Sequence, residues 1–135
     1  MGHSLGGAIA ILAARDISDI FGTNTQVGVN TFGSPRIGNQ NFANYINKKV
    51  NGVRYVHYAD LIPHLPPLGF YLHSFLEIWY DEEMNIYKYC SGDIDGQCSN
   101  SLTVYSTDDH LLDGYLQGLI WFMARSYITI SLFKG

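Results

Sequence analysis

Residues 2–21 read GHSLGGAIAILAARDISDIF, and this stretch decides the fold. A glycine-rich turn opens it and leads directly into a run with helical spacing of apolar residues, which are Ile9, Leu12, Ala13 and Ile17. Gly22 follows as a helix stop. Because small residues dominate the first turns, we predict a helix that packs closely against a sheet.

The next segments alternate between strand and helix patterns. QVGVNTF at 26–32 and GVRYVHY at 52–58 are rich in β-branched and aromatic residues and predict two strands. Between them, 39–49 predicts a short amphipathic helix. Its predicted inward residues are Phe42, Tyr45 and Ile46. Strand, helix and strand in this order predict an α/β fold with a mostly parallel sheet and helices on both faces.

The remaining segments complete one domain over residues 1–135, a length suited to a single core. Residues 74–80 and 85–89 alternate around DEEM and predict a hairpin. The apolar segment 115–133 approaches membrane-spanning length, but Arg125 lies in its middle. Since an Arg at the bilayer centre costs about 2.5–3.5 kcal/mol, we expect a packed helix and a strand-like tail and no stable membrane insertion.

Gly2-His3-Ser4-Leu5-Gly6 fits the pattern G-x-S-x-G, in which a serine nucleophile sits on a sharp strand-to-helix turn. Side chains two residues before and after the serine would collide with neighbouring backbone, so the pattern predicts glycine at both places. The alternative is an ordinary glycine-rich helix start with Ser4 as its cap. The motif alone leaves both interpretations open.

An elbow serine needs a histidine base and an acid that orients it, in the chain order Ser, acid, His. Asp60 lies just past the second predicted strand, although a solvated loop aspartate is the alternative. His57 precedes Asp60, and both His64 and His73 follow it too closely to leave room for another strand. Chain order therefore favours His110, whose alternative role is to cap a helix.

Composition and charge exclude several functions. The net charge is −4 and the Lys and Arg residues are scattered, so we expect no nucleic-acid binding. Two cysteines, Cys90 and Cys98, are too few for a zinc site. They favour a local disulfide, which implies an oxidising compartment, over two unpaired thiols. The chain opens without a secretory signal, so either the protein is not secreted or its natural N-terminus lies upstream.

Several stretches in the same order resemble the class 3 lipases, the filamentous-fungal type of triacylglycerol lipase, and cover roughly residues 2–115. They are GHSLGGA at 2–8, TFGSPRIGN at 31–39, VRYVHYADLIPHLPP at 53–67, YLHSFLEIWY at 71–80, CSGDIDGQCSNS at 90–101 and DDHLLDGY at 108–115. The resemblance implies part of an α/β-hydrolase fold. It also implies a secreted parent protein that acts on lipid esters at a lipid–water interface.

The resemblance assigns roles to individual residues. Ser4 would be the nucleophile, His110 the base and Asp60 its orienting acid, with the backbone N–H of Leu5 as one oxyanion donor. Cys90 and Cys98 would form a disulfide, while His3, Arg36 and His73 would serve structure. No metal or cofactor is implied, and the oligomeric state stays open.

The chain departs from the family pattern in two ways. Family members are about twice as long, so we expect the first strands, the lid and the second oxyanion donor to be missing here, and we expect the chain alone to be inactive or poorly folded. The residues after Tyr115 do not resemble the family's ending. A non-catalytic remnant, whether a fragment, a pseudoenzyme or a lipid-surface binding module, is therefore the alternative function.

Overall fold

The computed structural model describes residues 1–22, 26–83, 87–91 and 96–117. Its helices and strands are β1 (Gly2–His3), α1 (Leu5–Phe21), β2 (Gly28–Phe32), α2 (Gln40–Lys49), β3 (Asn51–His57), β4 (Leu76–Tyr80) and β5 (Tyr87–Cys90). Short 3-10 turns cover 62–64, 99–101 and 108–110, and residues 112–117 are helical.

The five strands form one sheet in the order β1-β2-β3-β4-β5. The first four are parallel to one another, and β5 returns antiparallel to β4 with Tyr80 opposite Tyr87. The predicted mostly parallel sheet and the predicted hairpin are therefore confirmed. Parallel strands end on the same edge of a sheet, so the residues that follow β1 and β3 emerge at one edge, with β2 between them.

Helix α1 packs on the sheet through small residues. Its buried residues are Gly7, Ala8, Ile11, Ala14 and Ser18. A β-carbon on Gly7 would lie 2.8 Å from the β-carbon of Ser34, which shows how closely the helix approaches the segment after β2. The predicted close packing of α1 against the sheet is therefore confirmed at Gly7.

The helical repeat of larger apolar residues that marks α1 in the sequence lies on its outer face. Ile9 is 57% exposed, and Leu12 and Ile17 are also exposed. Helix α1 therefore carries apolar residues on two faces, and the face that packs against the sheet combines small residues with Ile11.

Helix α2 is capped by Asn39, whose side chain accepts a hydrogen bond from the Phe42 backbone N–H at 3.0 Å. Ala43 and Ile46 are buried, and Phe42 packs at the edge of the same core cluster. The prediction that Tyr45 faces inward is wrong. Its ring is exposed, because its hydroxyl donates to the Asp19 carboxylate on α1.

The sheet carries a core on each face. On one face, Val29 packs with Ile11 of α1 and Ile46 of α2. On the opposite face, Phe32 packs with Tyr55 and with Tyr115 from the helical residues 112–117. Because side chains alternate along a strand, Val29 and Phe32 mark the two sides, so helical residues cover both faces as predicted.

The predicted disulfide is present between Cys90 at the end of β5 and Cys98. The residue after it, Ser99, donates its backbone N–H to the Glu77 carboxylate at 3.0 Å, and Glu77 pairs with Arg54 at 2.8 Å. This ion pair is almost completely buried across β3 and β4. The residue that follows the disulfide thus contacts a paired charge.

No helix within the described ranges is long and apolar enough to cross a membrane. The predicted helix and strand-like tail of segment 115–133 lie, from residue 118 onward, outside the described residues.

Candidate active site

Ser4 occupies a strained position between β1 and α1. Its φ and ψ are 55° and −132°, a region that residues with a side chain rarely adopt. The backbone holds it there, because the Ser4 N–H donates to the Phe32 carbonyl at 2.9 Å and the Ser4 carbonyl accepts from the Gly7 N–H at 2.9 Å. Ser4 occupies the N-cap position of α1, but its side chain makes no capping hydrogen bond.

The two glycines of the motif have different surroundings. A β-carbon on Gly2 would lie 2.2 Å from the Gly6 carbonyl oxygen and 2.7 Å from the Gly7 nitrogen. A β-carbon on Gly6 would meet no described atom within 4 Å. The expectation that both glycines avoid collisions is therefore correct for Gly2 and wrong for Gly6, because the tight approach is made by the Gly6 carbonyl.

Asp60 lies after the carboxyl end of β3 and is fully buried, with 0% of its surface exposed. One carboxylate oxygen accepts from the Ile62 N–H at 2.8 Å, and the other accepts from the Tyr115 hydroxyl. A buried carboxylate needs such donors, and the alternative of a solvated loop aspartate is wrong.

His110 bridges the other two side chains. Its Nδ1 lies 2.9 Å from Asp60 Oδ2 and 3.1 Å from Asp60 Oδ1, and its Nε2 lies 2.8 Å from Ser4 Oγ. A carboxylate only accepts hydrogen bonds, so Nδ1 carries the proton and Nε2 is free to accept the Ser4 hydroxyl proton. The structure thus brings together the three residues that chain order selected, and the imidazole does not cap a helix.

Tyr115 supports this arrangement from below, and its role was not predicted from sequence. Its hydroxyl accepts from the His57 backbone N–H at 3.2 Å while it donates to Asp60. Burial raises the pKa of the Tyr115 phenol well above its usual value, and the nearby Asp60 charge acts in the same direction. The phenol therefore keeps its proton and remains a donor to the carboxylate.

Gly33 closes the space where the buried groups meet. Its φ is +56°, and a β-carbon there would lie 2.6 Å from Asp60 Oδ2, 2.8 Å from the Tyr115 hydroxyl and 3.0 Å from His110 Nδ1. In the sequence this residue signals only a loop after a strand. The signal for its true role is long-range, because it appears only when segments around residues 33, 60 and 110 meet.

Two further histidines touch the segment that carries His110. The His3 ring stacks on the His110 ring with centroids 4.6 Å apart, and His3 Nε2 lies 2.9 Å from the His110 carbonyl. His57 Nδ1 lies 3.0 Å from the Asp109 carbonyl. Burial is the largest cause that lowers the pKa of His3, and the neighbouring His110 adds to the effect.

Other residues suggested by the sequence lie away from the three-residue contact. His73 Nε2 bonds to the Pro63 carbonyl at 2.7 Å, and the His64 ring packs on Tyr105. Arg36 is buried and donates to the Pro66 carbonyl at 2.9 Å. These contacts are structural. The described part of the chain contains no cluster of three His, Cys, Asp or Glu residues that could hold a metal ion.

Ser4 directly precedes the N-terminus of α1. Leu5 and Gly6 are the first residues of the helix, so their N–H groups have no intrahelical acceptor. The partial positive charge of the helix end adds to these donors. The Leu5 N–H is therefore available to a negatively charged oxygen formed beside Ser4 Oγ.

Large apolar side chains are exposed on the segments that follow Asp60 and His110. On the first segment Phe70 is 70% exposed, and on the second Leu111 is 61% exposed. The same segments expose further apolar residues, which are Leu65, Leu68, Tyr71, Leu112 and Leu116. These exposed apolar residues lie on the two segments that directly follow Asp60 and His110 in the chain.

Comparisons with known proteins converge on one family. Residues 1–70 match the family described as Lipase (class 3). The lipase of Rhizopus niveus is 36% identical over 116 residues, which cover 82% of this chain and 30% of the relative. The chain therefore spans about a third of the length of the curated relatives it matches.

Solved structures agree with the sequence comparison. The crystal structure of a lipase from Rhizopus microsporus var. chinensis superposes with a TM-score of 0.74 at 38% identity, covering 81% of this chain and 40% of that one. A triacylglycerol lipase described as having a serine protease triad as its catalytic centre superposes with a TM-score of 0.72 at 37% identity, covering 81% and 44%.

Proposed function

The chain belongs to the class 3 lipase family, and on that premise we propose that the protein cleaves carboxylic esters of lipids through Ser4, His110 and Asp60. The observation that carries this proposal is the continuous hydrogen-bonded contact from Ser4 Oγ through both His110 nitrogens to the Asp60 carboxylate. The serine protease triad named for the superposed triacylglycerol lipase supports the same assignment.

The first half of the reaction forms an acyl-enzyme. Ser4 Oγ attacks the ester carbonyl carbon while His110 Nε2 takes the hydroxyl proton, and the carbonyl oxygen becomes an oxyanion. Asp60 keeps the proton on Nδ1 and stabilises the imidazolium. When the tetrahedral intermediate collapses, the bond to the alkoxy oxygen breaks, and the alcohol leaves with the proton from His110.

The second half regenerates the serine. A water molecule attacks the acyl carbon, gives a proton to His110, and the fatty acid leaves as Ser4 recovers its proton. In both halves the oxyanion accepts from the Leu5 N–H at the start of α1. One donor of this kind contributes on the order of 10²–10³ in rate.

Lipid esters are favoured over small polar esters by the exposed apolar side chains on the segments after Asp60 and His110. Leu111 directly follows His110 in the chain, and Phe70 lies on the segment after Asp60. An acyl chain laid over these side chains gains about 0.8 kcal/mol per buried methylene. This proposal includes a lipid–water interface as the surface on which the protein works.

The Cys90–Cys98 disulfide supports a secreted location for the protein, since disulfides persist in oxidising compartments. A thiol titration of the natural protein under denaturing, non-reducing conditions should find no free cysteine in Cys90 or Cys98. Two reactive thiols would argue against secretion.

Covalent labelling tests the proposed nucleophile. In the natural protein, a fluorophosphonate probe should modify Ser4 and no other residue, and both labelling and hydrolysis of p-nitrophenyl butyrate should disappear in Ser4→Ala. Ser101→Ala, which removes an exposed serine, is the matched control and should label normally. A folded sample that forms no adduct would favour the non-catalytic alternative.

Chain-length dependence tests the lipid substrate separately. Leu111→Ser should lower kcat/KM for p-nitrophenyl laurate several-fold more than for the butyrate, because only the longer chain reaches the apolar surface. Ile20→Ser is the control, since Ile20 is exposed at the far end of α1, roughly 24 Å along the helix from Ser4. Equal losses for both esters would contradict lipid selectivity while leaving the nucleophile intact.

A further inference from the structure

The turn that carries His110 has few backbone ties to the rest of the fold. At Ser106, the N–H donates to the Ala59 carbonyl at 2.8 Å and the carbonyl accepts from the Leu61 N–H at 3.1 Å. Beyond it, the described backbone hydrogen bonds are local: the N–H of His110 reaches the Thr107 carbonyl, and that of Leu111 reaches the Asp108 carbonyl. The residues around His110 are largely exposed, so the backbone by itself does not fix this turn on the sheet.

Two imidazoles supply the missing ties. His57 Nδ1 bonds the Asp109 carbonyl at 3.0 Å, and His3 Nε2 bonds the His110 carbonyl at 2.9 Å. A carbonyl only accepts, so each of these ring nitrogens carries a proton and donates it. Two consecutive carbonyls of the turn are therefore held by side chains from two different strands.

The tethers come from the same strands that place the other two members of the site. His3 ends β1 and directly precedes Ser4, while His57 ends β3 and lies three residues before Asp60. If β1 moved, His3 would move together with Ser4, and if β3 moved, His57 would move together with Asp60. The turn is thus aligned to the nucleophile and to the acid at once.

Ring packing makes both tethers rigid. The His3 ring stacks on His110 with an interplanar angle of 26° and meets the Tyr115 ring edge-on at 5.3 Å. His57 is buried and lies edge-on to the same Tyr115 ring at 6.0 Å. A donor whose ring is fixed in this way loses little conformational entropy when it binds the carbonyl.

We propose that His3 and His57 are positioning residues, which hold the carbonyls of residues 109 and 110 and thereby set the place of the His110 imidazole between Ser4 and Asp60. This inference rests on the proposed function and adds two residues to it. Its physical basis is the sensitivity of proton transfer to geometry: a misplacement of about 1 Å costs roughly 100-fold in rate.

The test compares variants that keep or remove the donor. In His3→Phe and His57→Phe, a ring remains but the N–H is lost, and we expect the second-order rate of fluorophosphonate labelling at Ser4 to fall roughly 10- to 100-fold. In His3→Gln and His57→Gln, an amide N–H is restored, and the rate should recover to within a few-fold of the wild-type value. Labelling is measured well below each variant's thermal midpoint.

His73→Gln is the matched control. His73 is also a buried imidazole bonded to a loop carbonyl, but this carbonyl belongs to Pro63 and not to the His110 turn. It should lower the thermal midpoint without changing the labelling rate. Rates within two-fold of wild type in both Phe variants, or Gln variants no better than Phe variants, would overturn the inference.

A second readout separates this inference from the proposed function. Nitrogen-15 spectra of the histidine rings report the His110 Nδ1–H bonded to Asp60, whether or not Ser4 reacts. If wild-type protein forms no adduct, the proposed function fails, yet His3→Phe should still shift this resonance and His73→Gln should not. An unmoved His110 resonance in both Phe variants would overturn the positioning role.

Discussion

The elbow at Ser4 and the turn at His110 place two reacting atoms 2.8 Å apart by opposite means. At the elbow, the constraint is local: the strained backbone of Ser4 is fixed by contacts among residues 2–7 and one bond to Phe32. At the turn, the constraint is distant along the chain. His57 bonds the carbonyl of residue 109 across a separation of 52 positions, and His3 bonds the carbonyl of residue 110 across 107 positions.

This difference determines how each half of the site can fail. A substitution of Gly2 at the elbow acts through backbone sterics, because its β-carbon would meet backbone atoms, which cannot move aside as a flexible side chain can. A substitution around the turn acts through single hydrogen bonds, each with a net worth of about 1 kcal/mol. We therefore expect a large effect at Gly2 of the elbow and graded effects at the turn.

The largest effect should follow from Gly2→Ala. Its β-carbon would meet the Gly6 carbonyl oxygen at 2.2 Å, so β1 and the start of α1 must separate. We expect a loss of about 3 kcal/mol in the free energy of unfolding and a labelling rate at Ser4 lowered more than about 100-fold. Urea denaturation and fluorophosphonate kinetics measure the two.

Gly6→Ala is the control within the same motif. Because its β-carbon meets no described atom within 4 Å, and alanine favours a helix, it should raise the free energy of unfolding by roughly 0.5–1 kcal/mol. Equal destabilisation by the two substitutions would show that the symmetric steric explanation of the motif is correct after all.

The next largest effect should come from Gly33→Ala, because Gly33 lies against the contact between His110 and Asp60. Its β-carbon would press on Asp60, Tyr115 and His110, and its φ of +56° adds strain. We expect a loss of about 1–3 kcal/mol in stability and of about 100-fold in labelling.

Gly22→Ala separates strain from contact. Gly22 also has a positive φ, 64°, at the end of α1, but no contact within 4 Å of its β-carbon position is found among the described residues. It should cost stability of a similar order through strain alone and leave the labelling rate unchanged. A fall in labelling for Gly22→Ala would mean that global destabilisation explains the Gly33 result.

Local patterns predict the strands at 26–32 and 52–58 and the hairpin, and they offer Ser4 and Asp60 as candidates while leaving the alternatives open. The β-branched run ending at His57 predicts the strand, and the next polar residue on that edge is Asp60. Tyr45 shows where this reasoning fails, because hydropathy ranks it as an inward residue while its hydroxyl has a partner on α1. For α1, two apolar stripes compete, and only the tertiary contact with Ser34 selects the one with small residues.

The support around the site could not be derived from the sequence for a different reason. Gly33, Tyr115 and the two tethering histidines act through contacts that span tens of residues along the chain. Nothing in the immediate neighbourhood of Tyr115 indicates that its hydroxyl meets Asp60. Such roles follow from the strand order, which brings three loops to one edge, and not from any local pattern.

Removing the Tyr115 hydroxyl should have a moderate effect. Tyr115→Phe takes one donor from Asp60 and leaves the His57 backbone N–H without its acceptor, so we expect a loss of about 1–2 kcal/mol in stability. Labelling should fall several-fold, because Asp60 is then less firmly held against His110.

Tyr105→Phe provides the comparison for this phenol. Its hydroxyl donates to the Leu102 carbonyl at 2.9 Å and does not touch Asp60 or His110. Tyr105→Phe should lower the free energy of unfolding, measured by urea denaturation, by as much as Tyr115→Phe or less. The labelling rate at Ser4 should not change. If the two variants label equally slowly, the Tyr115 hydroxyl has no special part in the site.

The smallest effect concerns pH and arises at the His3 tether. The pKa of His3 in the folded protein is lowered below its ordinary value, first by burial and then by the charge on His110, although the bond to the His110 carbonyl and the charge of Asp60 oppose this. The unfolded chain therefore binds a proton more readily, and stability falls as the pH drops from above 6.5 through the folded pKa. His3→Gln cannot titrate, so urea denaturation at pH 7.5, 6 and 5 should show a smaller loss for this variant than for the wild type. Because the ring is partly exposed, the difference should be modest, and identical slopes in the two proteins would mean that His3 keeps its proton equally well folded and unfolded.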